Sequence, residues 1–182
     1  MEENRKCVTF IPFKPSNKNS SNGKMNDCID ATYVIHLENN GRMENIQKQL
    51  EFYAPTDMIF IVVNKGFRNC EKTLQKQQPP YDLVDTYLQI FKHAEENDIQ
   101  GNILILEDDF IWSTEIKCLN ISSISNFLNA YKEKEIAYYL GVIPFMHIPL
   151  DFHHNYLLFS LGSHSVIYTL EHLKLHVFIF FL

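Results

Sequence analysis

Ile103-Leu104-Ile105-Leu106-Glu107-Asp108-Asp109 is the stretch on which the fold turns. Four consecutive apolar residues, too few for a helix, read as a strand buried on both faces, as in a parallel sheet covered by helices. Three carboxylates follow at its end. Toward the N-terminus, Leu83, Tyr87, Phe91 and Ala94 recur at helical spacing, with Asp82 as N-cap and Gly101 as the stop. Residues 64–80 read as a polar loop closed by Pro79-Pro80. Met58-Ile59-Phe60-Ile61-Val62-Val63 is a second apolar strand. Met43, Ile46, Leu50 and Tyr53 mark a helix that Pro55 ends, and Thr32-Tyr33-Val34-Ile35 is the first strand.

Strand, helix, strand, helix, strand is the order of an α/β domain with a mostly parallel central sheet. Ligands of such sheets gather at the carboxyl ends of the strands. Two features fall there: His36-Leu37-Glu38 with Arg42, and the acidic triplet. Downstream, Ile124, Phe127, Leu128 and Tyr131 predict a helix. Residues 136–140 predict a strand ending at Gly141, two short strands follow at 156–161 and 165–169, and a helix begins at Leu170. Residues 16–27 are rich in Ser, Asn, Lys and Gly, which bury too little apolar surface to offset their ordering entropy. Residues 1–29 are therefore expected as a tail or linker, with a short strand near Val8-Thr9-Phe10, and residues 30–182 as one domain.

Bulk properties narrow the function. The chain has 182 residues, 46% hydrophobic and 21% charged, which fits one globular domain. A net charge of -6 without a basic patch argues against a nucleic-acid partner, and suits an anion site in which a metal supplies positive charge. The longest apolar run, residues 177–182, is too short to span a bilayer. Four scattered cysteines, none in a Cys-x-x-Cys pair, and the lack of a signal-peptide pattern predict a reducing, cytoplasmic setting.

Three adjacent carboxylates raise one another's pKa, and a divalent cation relieves that repulsion while gaining hard oxygen ligands. If the strand continues, Glu107 and Asp109 face one side and can hold Mg²⁺ or Mn²⁺, with water and phosphate completing the shell. The alternative is an acidic turn facing solvent. The flanking apolar run and Phe110-Ile111-Trp112 place the acids at a mouth between core elements.

The ordered set of segments resembles glycosyltransferase family 25, which includes lipopolysaccharide and procollagen galactosyltransferases. Residues 103–109 resemble its LILEDD segment. Tyr33-Val34-Ile35-His36-Leu37 with Arg42 is similar to its opening strand, and Leu161-Gly162-Ser163-His164-Ser165-Val166-Ile167-Tyr168 is similar to its GTHAYVIS segment. The match covers roughly residues 31–175, and its variant helix and Asn-rich composition look like divergent members carried by large DNA viruses. The resemblance implies a GT-A fold, a Rossmann-like α/β/α sandwich. It also implies a nucleotide-sugar donor such as a UDP-sugar, a divalent metal, and a glycan or protein hydroxyl as acceptor. By the same resemblance Glu107, Asp108 and Asp109 match the metal and diphosphate motif, His36, Leu37 and Arg42 lie near the nucleotide, and Gly162, Ser163 and His164 form a loop near sugar and acceptor. The sequence departs from the family in the helix before the acidic strand. It also departs after Glu171, where the chain looks truncated and Asp151 is the remaining candidate base.

Other residues carry blander readings. His147, His153 and His154 suit a loop surface better than a metal, since adjacent side chains on a strand point apart. Trp112 and Phe110 read as core before sugar platform, and Lys65, Arg68, Lys72 and Lys76 as a solvated loop face. The rival functions are a catalytically inactive remnant that binds nucleotide or a partner, and a nucleotidyltransferase.

Overall fold

The computed structural model describes residues 3–16, 23–114, 118–132, 134, 136–150 and 155–169. A short 3-10 turn, Glu3–Cys7, leads into strand β1, Val8–Phe13. The order continues β2 Ala31–Leu37, α1 Met43–Phe52, β3 Ile59–Asn64, α2 Pro79–Glu96, β4 Ile103–Glu107, α3 Cys118–Ala130, β5 Ala137–Pro149 and β6 Asn155–Tyr168. The six strands form one sheet in the order β1-β3-β2-β4-β6-β5. Its core, β3-β2-β4, is parallel, while β1, β6 and β5 add antiparallel. The expected parallel sheet is thus confined to the middle three strands.

Strand alternation sends successive side chains to opposite faces. Val34, Ile61, Leu104 and Leu106 pack with Ile46 and Leu50 of α1 and Ile121 and Leu128 of α3. Tyr33, Ile35, Ile103 and Ile105 pack instead with Tyr87, Ile90 and Ala94 of α2. Helices therefore cover both faces, and Leu104, Leu106, Ile103 and Ile105 are all fully buried. Each such side chain contributes roughly 1.5–3 kcal/mol on leaving water. No helix among the described residues is long and apolar enough to cross a membrane.

Four expectations need correction. Residues 3–13 are not a tail: β1 pairs with β3 from Val8↔Asn64 to Phe13↔Ile59, and Pro12 is tolerated because β1 is an edge strand. Met25, Cys28 and Ile29 also enter the core. Helix α2 begins at Pro79, with Gln78 as the cap, because proline's fixed φ and missing N–H suit a first turn. It ends at Glu96 rather than at Gly101, with Asp98 at a φ of 55°. Gly141 does not end a strand, and the two short strands at 156–161 and 165–169 are one, because β5 and β6 form a long hairpin that absorbs its glycines at register shifts. Finally, Cys7 and Cys70 form a disulfide. The antiparallel start of β1 lies beside the end of β3 and brings together two cysteines 63 residues apart, which sits at odds with the reducing setting expected from their spacing. The helix expected from Leu170, like Asp151, His153, His154 and Glu171, lies outside the described residues.

Candidate functional site at the carboxyl edge of the sheet

Register brings the distant motifs level. Leu37 of β2 pairs with Asn64 of β3, and Ile35 of β2 pairs with Glu107 of β4, so all three parallel strands present their carboxyl ends at one edge. Loops leave that edge toward opposite faces. The β2 loop enters α1 on one face and the β3 loop enters α2 on the other. A crevice beside such a reversal is where open α/β sheets bind ligands.

Glu107 closes β4, and a turn follows in which the Phe110 N–H donates to the Glu107 carbonyl at 3.2 Å. The strand alternation anticipated through Asp109 therefore stops at Glu107. Asp108 turns inward. Its Oδ1 accepts from Arg42 Nη1 at 2.6 Å, and its Oδ2 accepts from the Leu37 N–H at 3.2 Å and from Asn40 Nδ2. His36 Nδ1 lies 3.6 Å from the same Oδ2; it is buried and has no hydrogen-bond partner. Asp109 stays near the opening, with its side chain 43% exposed and 3.7 Å from Arg42 Nη1. The hydrogen bond from Arg42 to Asp108, then the charge of that carboxylate, holds the guanidinium pKa above its ordinary value.

The β2–α1 loop is shaped for this contact. Asn39 and Gly41 take positive φ, 63° and 79°, which returns the chain in five residues. Asn40 Oδ1 accepts from the Arg42 N–H at 3.0 Å while its amide reaches Asp108. Arg42 is the N-cap residue of α1, and no side-chain bond caps that helix. Its cationic group therefore sits where the helix dipole already favours anions.

The six sequence-predicted residues His36, Leu37, Arg42, Glu107, Asp108 and Asp109 thus share one edge. Asp108, however, is spoken for by Arg42 and its loop, and is not a free oxygen donor. His164 is placed by backbone alone. Leu106 pairs with Ser165 in antiparallel register, so the residue of β6 that precedes Ser165 lies at the end of β4 beside Glu107. Gly162, Ser163 and His164 are not the expected loop. They belong to β6, where Ile143↔Leu161 and Gly141↔Ser165 leave these three residues opposite Val142 alone, a bulge in the strand. Phe110 and Trp112 pack edge-on with one another, Trp112 against Tyr53 as well, so both read as core.

One strand away lies a cluster that the sequence hid. Lys72, expected on a solvated loop face, is 4% exposed. Its Nζ reaches Asp82 Oδ1 at 2.7 Å, Asp85 Oδ2 at 3.1 Å and Asn64 Oδ1 at 3.0 Å. Asp82, anticipated as a helix cap, instead accepts from Lys72 and from the Phe67 N–H at 3.1 Å. Asn4 donates to Asp85 at 2.8 Å, and Cys7–Cys70 ties the two flanking segments together. Only the i,i+3 spacing of Asp82 and Asp85, on the α2 face that carries buried Thr86 and Gln89, hinted at a polar seam. Beside the disulfide, Glu3, Lys6, Glu71 and Thr73 line an open cleft of about 510 Å³ that the acidic triplet does not reach.

No family model matches this chain, and no curated protein matches it.

Proposed function

We propose that the chain binds a nucleotide-sugar donor at this carboxyl edge and transfers the sugar to a glycan or protein hydroxyl, with Mn²⁺ or Mg²⁺ at Glu107 and Asp109. The fold implied by this reading is of the GT-A type. The observation that carries it is convergence. Residues 36–42 and 107–109, apart in sequence and both set out by the family resemblance, meet through the contacts of Asp108 with Arg42, Asn40 and the Leu37 N–H.

The donor set suits a weakly caged ion. Among the described residues no three His, Cys, Asp or Glu side chains form a metal cage. Mg²⁺ is commonly held by one or two carboxylates plus substrate phosphates, which is what Glu107 and Asp109 offer. When bound, the ion would neutralise charge on a departing diphosphate. Arg42, half-exposed, holds Asp108 in place and presents cationic charge to the opening. Asp109 remains near solvent, where a ligand can reach it.

The test is thermal unfolding with Mn²⁺ and UDP. Saturation a hundredfold above the dissociation constant adds roughly 2.7 kcal/mol of stability by linkage. Asp109→Ala is expected to remove that gain and leave the ligand-free Tm within a few degrees. A folded wild-type protein whose Tm ignores Mn²⁺ and UDP together would end this reading. Release of sugar from a UDP-sugar then separates an enzyme from a silent binder.

A further inference from the structure

Four polar groups of the β2–α1 segment converge on one carboxylate. Arg42 Nη1 takes Asp108 Oδ1, while the Leu37 N–H and Asn40 Nδ2 take Oδ2. His36 Nδ1 points at Oδ2 from 3.6 Å, its side chain 5% exposed and its nitrogen unpartnered. Helix α1 opens at the same place without a side-chain cap. One carboxylate has two oxygens in one plane. The cradle offers a guanidinium, a backbone N–H, an amide and an imidazole, and the imidazole goes unused. Three of these donors reach the flat carboxylate and the imidazole does not, whereas a tetrahedral oxyanion, with its oxygens spread out of one plane, suits all four.

We propose that the β2–α1 segment is an oxyanion cradle with Asp108 as its built-in occupant, and that a phosphoryl group of a ligand takes that place. The carboxylate mimics the anion in the empty protein, satisfying Arg42 and the loop so that the edge stays folded. On exchange, Asp108 leaves the cradle for the open side of the edge and the phosphoryl oxygens take over its donors. The cradle lies within the site proposed above, and only the identity of its natural ligand rests on that reading.

Inorganic phosphate, without metal or nucleotide, is the probe. Asp108→Ala removes the occupant and leaves every donor. Phosphate is expected to bind this variant about tenfold more tightly than wild type, because competition from a charge-assisted bond is gone. Binding is read by calorimetry and by Tm against chloride at matched ionic strength. Arg42→Ala in the same background is expected to abolish it. Asp108→Asn, which keeps the shape and loses the charge, is expected to fall between the two and serves if the alanine variant is poorly folded. Wild type is expected to bind phosphate weakly and only with Arg42 present. Two results overturn the proposal: folded Asp108 variants that bind phosphate no better than wild type, or acetate binding as tightly as phosphate, which would mean the cradle fits a carboxylate alone. Success here with no response to Mn²⁺ and UDP would keep the cradle and discard the glycosyltransferase reading.

Discussion

Around Lys72 both acidic partners, like the lysine itself, are shut away from water. Lys72, Asp82 and Asp85 are each no more than 5% exposed. Around Arg42, one strand over, Asp108 turns inward but its neighbours face out: the arginine side chain is 50% exposed and that of Asp109 is 43% exposed. Both clusters sit at strand ends, and both pair a cation with aspartates. The difference lies in what stands over them. A loop, a helix and the disulfide-linked segment from Asn4 to Cys7 enclose the first. The second, among the described residues, is held by its own tight turn. A closed ion cluster holds structure together, whereas an open one leaves capacity for a ligand, so the two clusters teach that burial rather than charge content separates a brace from a binding edge.

The contrast breaks most decisively at Lys72. Lys72→Ala leaves two buried aspartates without their cation, and a loss of roughly 3–5 kcal/mol is expected in urea unfolding. A variant as stable as wild type would mean that Lys72 faces solvent. Next in size is the disulfide. Cys7→Ser with Cys70→Ser is expected to cost about 2–4 kcal/mol, since the crosslink restricts the unfolded chain. Reducing and non-reducing melts of wild type should differ in the same direction. Smaller still is the stability effect of Asp109→Asn at the open cluster, within about 0.5 kcal/mol as for most exposed positions, while the response to Mn²⁺ and UDP disappears. Any large loss of stability there would erase the distinction between the two edges.

The smallest effect concerns a half-buried titratable group away from both. His93 stacks on Phe10 and accepts or donates at Nδ1 with the Tyr33 hydroxyl at 3.1 Å. Burial holds its pKa below the ordinary imidazole value; Glu96 opposes that shift and Arg5 adds to it. The unfolded chain therefore binds the proton more readily. His93 contributes full stability above about pH 6.5, and that contribution falls as pH drops through this value toward the depressed native one. A urea midpoint series from pH 7.5 to 5 should show a shallower decline in His93→Phe than in wild type.

The sequence made the middle of the fold legible because buried parallel strands carry unbroken apolar runs, as residues 58–63 and 103–106 do. It also placed His36, Leu37, Arg42 and the acidic triplet at one edge, since strand order alone dictates where carboxyl ends gather. It showed β1 only as a short strand near Val8-Thr9-Phe10 within a tail, because a stretch that includes Pro12 gives no local sign of pairing with a strand some fifty positions away. Gly141 and Gly162 looked like turns because a glycine marks a bulge and a turn with the same signal. Lys72 was misread because a lysine's burial depends on Asp82 and Asp85, and no local pattern records a partner ten or more residues away. The commitment of Asp108 to Arg42 was hidden for the same reason.

The bond between Cys7 and Cys70 closes a covalent ring that contains β1, β2, α1 and β3. A protease that cuts once within residues 14–30 opens the ring without releasing a fragment. The clipped protein would migrate as one band on a denaturing gel and separate into two only after thiol treatment, so nicked molecules would escape notice in any assay run without reductant.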